Sequence, residues 1–329
     1  MRQFDFSGLT PELILDAVET KGVEPDGGLL PMNSYENRVF QLRDWDNQRW
    51  VVKFYRPQRW SLAQLKEEHE YALELENAEV PMVAPCVVDG ESVFEHQGFL
   101  WALYPSRGGR IFEVDNLDQL EWMGRFIGRM HLVGEKRPFE HRPKLSIQEF
   151  LLDAGKTLEN SSLVPQSLHL PFYTALNQLI EKTPGYWFET DTVRLHGDCH
   201  AGNILWTDNG PHFVDLDDCR QGPAIQDLWM MLSGDKNQQL AQLDALLTGY
   251  EEFAEFDHAQ LRLIEVLRAM RMVNYMAWLE KRWCDPAFPR TFPWFAEEKY
   301  WEGQILAIKE QLAALDEPSL CLMPAANRL

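Results

Sequence analysis

The chain has 329 residues and a mass of 38.3 kDa, with 45% hydrophobic and 25% charged residues, a length that predicts two domains or lobes at roughly 150 residues each. Such a chain can bury a sizeable core without a disulfide or metal staple. Its 31 basic and 51 acidic side chains give a formal net charge of −20, which argues against nonspecific binding to nucleic acid or to an anionic membrane, because both need basic surface. Residues 10–20 predict a short amphipathic helix with Pro11 in its first turn. Gly27 and Gly28 then break the chain. Residues 38–43 and 50–55 read as two strands joined by a turn at 44–47. On the second strand Val51, Lys53 and Tyr55 share one face, and Val52 and Phe54 the other. Ser61 and Gln64 form a capping-box pattern opening a helix that runs to about Glu76. Residues 83–88, 92–95 and 99–104 are strand candidates. The first lobe is therefore expected to be a small, mostly antiparallel sheet with one main helix.

Residues 104–109 mark the lobe boundary. Beyond it, a helix is expected over 117–132, capped by Asn116, with Leu120, Met123, Ile127 and Met130 as its apolar stripe. Helical patterns recur over 172–182, 223–232, 238–255, 259–283 and 297–315. A strand pair at 203–206 and 212–215 interrupts them, and polar residues crowd there. The five cysteines, Cys86, Cys199, Cys219, Cys284 and Cys321, are widely spaced and lack a CxxC, which fits a reducing compartment such as the cytoplasm. Met1–Asp5 opens no apolar signal stretch. The apolar run at 99–104 is too short to span a bilayer.

Two segments carry the chemistry: His196-Gly197-Asp198-Cys199-His200-Ala201-Gly202-Asn203 and Phe213-Val214-Asp215-Leu216-Asp217-Asp218. Buried carboxylates are costly unless they meet a cation or hydrogen-bond donors. Asp198, Asn203 and Asp215 offer hard oxygen donors, which suit Mg²⁺ with phosphate. An Asp, an Asn five residues later and an Asp on the next hairpin have the spacing of protein-kinase catalytic machinery. That set also needs a strand lysine. Lys53, in Val51-Val52-Lys53-Phe54-Tyr55, is the candidate, with Glu67, Glu68 and Glu70 as possible ion-pair partners and Glu68 preferred.

His196-Gly197-Asp198 with Asn203 and Asp215 resembles the aminoglycoside-phosphotransferase and choline-kinase branch of the protein-kinase-like fold. Asn33-Ser34-Tyr35-Glu36-Asn37-Arg38-Val39, Gly222-Pro223-Ala224-Ile225-Gln226-Asp227-Leu228-Trp229 and Arg282-Trp283-Cys284-Asp285-Pro286 narrow the resemblance to bacterial stress-response serine/threonine protein kinases of that branch, over essentially the whole chain. The resemblance implies a bilobal α+β fold. Residues 1–103 would form the ATP-binding lobe and 104–329 the catalytic and substrate lobe. It implies ATP and Mg²⁺ as cofactors, Asp198 as base, and Asn203 and Asp215 as metal ligands. Lys53, held by Glu68, would bind the α- and β-phosphates, and Ser34 would lie in the nucleotide loop. Tyr104–Ser106 would be the hinge whose backbone pairs with adenine. It implies a protein Ser/Thr hydroxyl as the acceptor; the sequence carries no firm oligomer signal, and a monomer is the default. A small-molecule kinase for an amino alcohol, sugar or antibiotic is the alternative, and an ATP-binding regulatory module with little turnover a further one. Residues 32–38 contain no glycine, so backbone NH groups and the Ser34 hydroxyl would replace a glycine-rich cradle. Gly197 stands where regulated protein kinases carry Arg, and only a dozen residues separate Asp215 from Asp227, which predicts no activation-loop phosphoswitch.

Simpler readings compete at each position. His196 is expected to hold the loop by structural hydrogen bonds, and Asp227 to cap a helix or brace the catalytic loop. Asp217 and Asp218 either extend the cation site or cap a loop. The aromatic residues Trp278, Trp283, Phe288, Phe292, Trp294 and Trp301 read as lobe core before they read as a substrate cleft. His131 is expected at the core edge.

Overall fold

The computed structural model describes residues 6–159 and 161–322; the expectation for Met1–Asp5 lies outside them. Helix α1 (Pro11–Glu19) starts at Thr10, whose hydroxyl accepts from the Leu13 amide, with Pro11 in the first turn as its fixed φ favours. Strands β1 (Pro25–Pro31), β2 (Arg38–Asp44) and β3 (Arg49–Phe54) lead into helix α2 (Leu62–Asn77). Ser61 and Gln64 make both bonds of the capping box. Strands β4 (Phe94–His96) and β5 (Phe99–Pro105) complete an antiparallel sheet of order β1-β2-β3-β5-β4. Alternation along β3 sorts its side chains as expected. Val52 and Phe54 are fully buried with Leu42, Trp101 and Ile14 of α1, each worth roughly 1.5–3 kcal/mol on burial. Lys53 and Tyr55 turn to the opposite face, where Tyr55 packs with Leu65 of α2 and Ala102.

Two expectations change here. Gly27 and Gly28 lie inside β1, whose pairing with β2 is irregular between Pro25 and Leu29, the kind of bulge an edge strand tolerates. Residues 83–88 form no strand. Their amides reach in turn to Phe213 O from Val83 (2.9 Å) and Leu103 O from Cys86 (2.7 Å), so this stretch runs between the two lobes. The short helix expected over 10–20 and the main helix expected from Ser61 are both present, as α1 and α2.

After β6 (Arg110–Ile111), the larger lobe begins with α3 (Leu117–Gly134), capped by Asn116; Leu120, Met123, Ile127 and Met130 are fully buried along it. A wide helical turn at Gln148–Asp153 runs into α4 (Ala154–Leu158), followed by α5 (His169–Lys182). Strands β7 (Val193–Leu195), β8 (Ile204–Thr207), β9 (Gly210–Phe213) and β10 (Arg220–Gly222) come next. They pair as β6-β8-β9 and as β7 with β10, all antiparallel. Helices α6 (Ile225–Trp229), α7 (Lys236–Tyr250), α8 (Ile264–Arg282), α9 (Ala287–Thr291) and α10 (Glu298–Ala314) complete the lobe. α6 is shorter than the pattern over 223–232 predicts. Trp301, Phe288 and Phe295 are fully buried in one large core with Trp278, Trp283 and Trp294 against it; the aromatic cluster is lobe core. All five cysteines are free. No helix among the described residues is long and apolar enough to cross a membrane.

Candidate active site

The end of β3 and the turn after β9 bring the predicted amine and carboxylate together. Lys53 Nζ lies 2.8 Å from Asp215 Oδ1, 3.4 Å from Asp217 Oδ1 and 4.0 Å from Glu68 Oε1. Burial alone would lower the ammonium's pKa, but Asp215, Asp217 and Glu68 outweigh it and raise that pKa well above its usual value. Of the three acids weighed on α2, Glu68 is the one that faces Lys53. Glu67 instead accepts from the amides of His141 (2.8 Å) and Arg142 (2.7 Å), and Glu70 pairs with Arg137. Glu68 also meets Arg142 at 3.4 Å. Its burial outweighs both cations and pushes its pKa up to about 7.

Asp215 adopts a left-handed backbone (φ 65°, ψ 72°), and its side chain is half exposed. A non-glycine residue in this region carries strain of the kind that gathers at functional sites. The carboxylate meets Lys53 of the first lobe and is open to solvent on its other side. Asp217, one turn further, is buried between Lys53 and Arg59. Arg59 also reaches Asp218 at 2.9 Å. Asp217 thus pairs with cations of the first lobe rather than capping its own loop.

The loop from His196 to Asn203 is held from below. Asp227 Oδ2 accepts from the His196 amide (2.7 Å) and Oδ1 from the Gly197 amide (2.9 Å), and His131 Nε2 lies 3.1 Å from Oδ2. His196 Nε2 bonds Val214 O at 3.0 Å, which ties the loop to the residue before Asp215. Asp227 is therefore a brace, His196 a structural clamp, and His131 fully buried core. Asn203 donates its amide to Asp198 O (3.0 Å) and its backbone carbonyl accepts from Val214 N. This leaves Asn203 Oδ1 as a free oxygen donor among the described residues. Asp198 Oδ1 accepts from Arg271 Nη1 at 2.6 Å, and Oδ2 lies 3.3 Å from His200 Nε2. Burial would raise the Asp198 pKa, but His200 and Arg271 outweigh it and hold the carboxyl far below its usual range.

The residues expected in the nucleotide loop and hinge are placed differently. Ser34 Oγ donates to Asn37 O at 3.4 Å, within its own loop, and makes no hydrogen bond to the Lys53 cluster among the described residues. The Tyr104 hydroxyl lies 3.0 Å from that of Tyr55, and Ser106 Oγ accepts from Gln41 at 2.8 Å. Both side chains thus have protein partners, and their backbone sits at the end of β5.

Sequence reasoning missed four charged residues. Glu36, in the loop between β1 and β2, accepts from Trp278 Nε1 (2.7 Å) and from Arg282 (2.7 and 3.1 Å), and pairs with Arg56 at 3.0 Å. Arg59, Arg142 and Arg271 are the others. Each meets its partner across a long stretch of chain, so no local spacing announces it.

The sequence model of the Phosphotransferase enzyme family matches residues 29–264. The chain belongs to that family. Two curated relatives match this phosphotransferase over nearly its whole length. Stress response kinase A of Escherichia coli (strain K12) is 53% identical over 322 residues, 98% of each chain. Serine/threonine protein kinase RdoA of Salmonella typhimurium is 52% identical over 323 residues, again 98% of each. Among solved structures, a microcompartment-associated aminopropanol kinase superposes with TM-score 0.71 at 18% identity, covering 95% of this chain and 100% of that one. An amicoumacin kinase in complex with AMP-PNP, Ca²⁺ and its antibiotic gives 0.67 at 18% identity, covering 87% and 92%. These show that the phosphotransferase has the bilobal kinase-like fold.

Proposed function

We propose that this phosphotransferase is an ATP-dependent serine/threonine protein kinase of a bacterial stress response, with residues 1–103 as its nucleotide lobe and 104–329 as its catalytic and acceptor lobe. The observation that carries the reading is the meeting of Lys53, from the sheet lobe, with Asp215 at 2.8 Å, beside a loop that presents Asp198 and Asn203. The names of its near-full-length relatives support the substrate class and the pathway.

ATP would lie between the lobes with its α- and β-phosphates on Lys53. Asp217, 3.4 Å away, keeps that ammonium charged, and Glu68, 4.0 Å away, helps aim it when Asp215 turns to other partners. The half-exposed Asp215 carboxylate and the free Oδ1 of Asn203 are hard oxygen donors, and they fit Mg²⁺ better than a softer ion. Bound there, the ion would supply charge neutralisation to the phosphates. Asp198 orients the acceptor hydroxyl and takes its proton. The hydroxyl oxygen bonds to the γ-phosphorus, and the bond from that phosphorus to the β–γ bridging oxygen breaks, its electron pair leaving on ADP. Positioning and preorganised charge provide most of the acceleration.

Labelled ATP incubated with the protein and with fractionated cell extract tests this. Label on a protein band that disappears with Asp198→Ala supports the reading, with an expected loss of roughly 10²–10⁴ in rate. Label only on a small metabolite would favour the alternative of a small-molecule kinase. Nucleotide binding with no transfer would leave only a regulatory module.

A further inference from the structure

Helix α8 presents Arg271, Tyr275, Trp278 and Arg282 at spacings of four, three and four residues, which places them on one face. At 1.5 Å per residue this stripe is about 16 Å long. Its far end holds the nucleotide loop, through Trp278 and Arg282 on Glu36. Its near end reaches Asp198, through Arg271 Nη1 at 2.6 Å. The stripe therefore forms one wall of the cleft from the nucleotide loop to the base.

Arg271 does not behave as a buried brace. Its side chain is 43% exposed, and its hydrogen bonds among the described residues, to Asp198 and to Met230 Sδ, both leave from Nη1. Nε and Nη2 remain available. Tyr275 beside it is 38% exposed, and its ring lies 5.7 Å from that of Trp278. In a chain of net charge −20, the acceptor side of the base thus carries an exposed cation with unused donors and an aromatic surface next to it. A hydroxyl that binds Asp198 shares its carboxylate with this guanidinium, which holds Oδ1 at 2.6 Å. A cationic amine next to that hydroxyl meets like charge, while a carboxylate meets a planar donor fork.

Resting on the phosphotransfer reading above, we infer that Arg271 selects the acceptor: a hydroxyl flanked by an anionic group, with Tyr275 as the apolar surface beside it. Cationic amino alcohols are disfavoured. An acidic stretch of protein around a serine and a small hydroxy acid share this chemistry, and the test separates them.

Four acceptors are offered with labelled ATP: a peptide whose single serine is flanked by aspartates, the same peptide with lysines, glycerate and ethanolamine. Wild type is expected to favour the aspartate peptide over the lysine peptide by roughly 10- to 100-fold in kcat/KM, the worth of one charge-assisted hydrogen bond. Arg271→Ala brings that ratio near one, Arg271→Glu inverts it, and Arg271→Lys keeps part of it. Circular dichroism and nucleotide affinity report whether each variant is folded. Glycerate labelled over ethanolamine, with both peptides silent, supports the same charge rule with a small-molecule acceptor. Equal use of both peptides, or preference for lysine or ethanolamine, overturns the inference while leaving the kinase reading intact. So does an Arg271→Ala variant that slows all acceptors equally, because the guanidinium then acts on the phosphoryl group or the base. No label on any acceptor despite nucleotide binding would remove the phosphotransfer reading, and this inference with it.

Discussion

Removing the Glu36 carboxylate should both destabilise the protein and loosen the loop between β1 and β2, proposed to hold the nucleotide. The Glu36 side chain is only 12% exposed and accepts from Trp278 and Arg282 while pairing with Arg56 and, at 3.7 Å, with Arg59. Arg56 keeps Asp285 at 2.9 Å, and Arg59 keeps Asp217 and Asp218. Arg282 has no second carboxylate among the described residues, and the Trp278 indole NH no second acceptor. Breaking a buried pair from one side costs about 3–5 kcal/mol. Because the Arg282 side chain is 27% exposed and water can reach it, Glu36→Ala should cost about 2–4 kcal/mol. Glu36→Gln keeps an acceptor oxygen and should cost about half of that. Urea unfolding followed by tryptophan fluorescence measures this, and a cycle with Arg282→Ala should return a coupling of about 1.5–3 kcal/mol.

The sign of the pH dependence follows from the same contacts. Burial raises the Glu36 pKa, but Arg59, Arg282 and Arg56 outweigh it and hold it below the ordinary 4.5. Its stabilisation is therefore present above pH 4.5 and lost as pH falls through the lowered folded value. The gap between wild type and Glu36→Gln should close in that range. ATP KM should rise in both variants, because the loop carrying Ser34 loses its anchor. A Glu36→Ala protein within 0.5 kcal/mol of wild type, or a zero coupling to Arg282, would show that these pairs are solvated and that the reasoning is wrong.

Asp215→Ala should weaken Mg·ATP binding, and unchanged nucleotide affinity by calorimetry would count against its role. Glu68, pushed up to about 7 mainly by burial, holds a proton in the folded state that the unfolded chain releases above about 4.5. Stability should therefore fall as pH rises from about 4.5 toward 7, and Glu68→Gln should flatten that slope in urea titrations; an unchanged slope would reject the assignment. Gly197 has φ +87°, and a Cβ there would lie 2.1 Å from Asp218 O. Gly197→Ala should thus cost at least about 1–3 kcal/mol from the backbone alone and displace Asp198. Near-normal kcat in a fully folded variant would show that the loop can move without consequence.

The parts of this site written in local pattern were readable. Alternation along β3 put Lys53 opposite Val52 and Phe54, and the capping box at Ser61 and Gln64 set the start of α2 and so the position of Glu68. The spacing of Asp198, Asn203 and Asp215 survives as one hairpin joined to one loop. What was not readable depends on closure between distant segments. Arg271 and Asp198 are 73 residues apart, and Arg282 and Glu36 are 246 apart. An arginine on a polar helix face looks solvated until the fold supplies its partner. β1 was hidden for a different reason. Its two prolines and two glycines oppose strand propensity, and only its place at the sheet edge, with an irregular register, makes them tolerable.

Gly197 and the segment after Asp215 bear on regulation together. The left-handed turn at Gly197 and its approach to Asp218 O leave no room for a side chain where regulated protein kinases carry Arg. The segment 216–222 that such an arginine would otherwise organise is already docked. Asp217, Cys219, Arg220 and Gln221 are buried, β10 pairs with β7, and Arg142 donates to Asp217 O and Cys219 O. Between Asp215 and Asp227 the sequence contains no Ser, Thr or Tyr to receive a phosphate. A switch needs two arrangements of similar free energy. Here one arrangement holds the buried pairs of Asp217 with Arg59 and Lys53, and displacing the segment breaks both pairs at once. Control by phosphorylation of this segment therefore lacks both the acceptor hydroxyl and the second state.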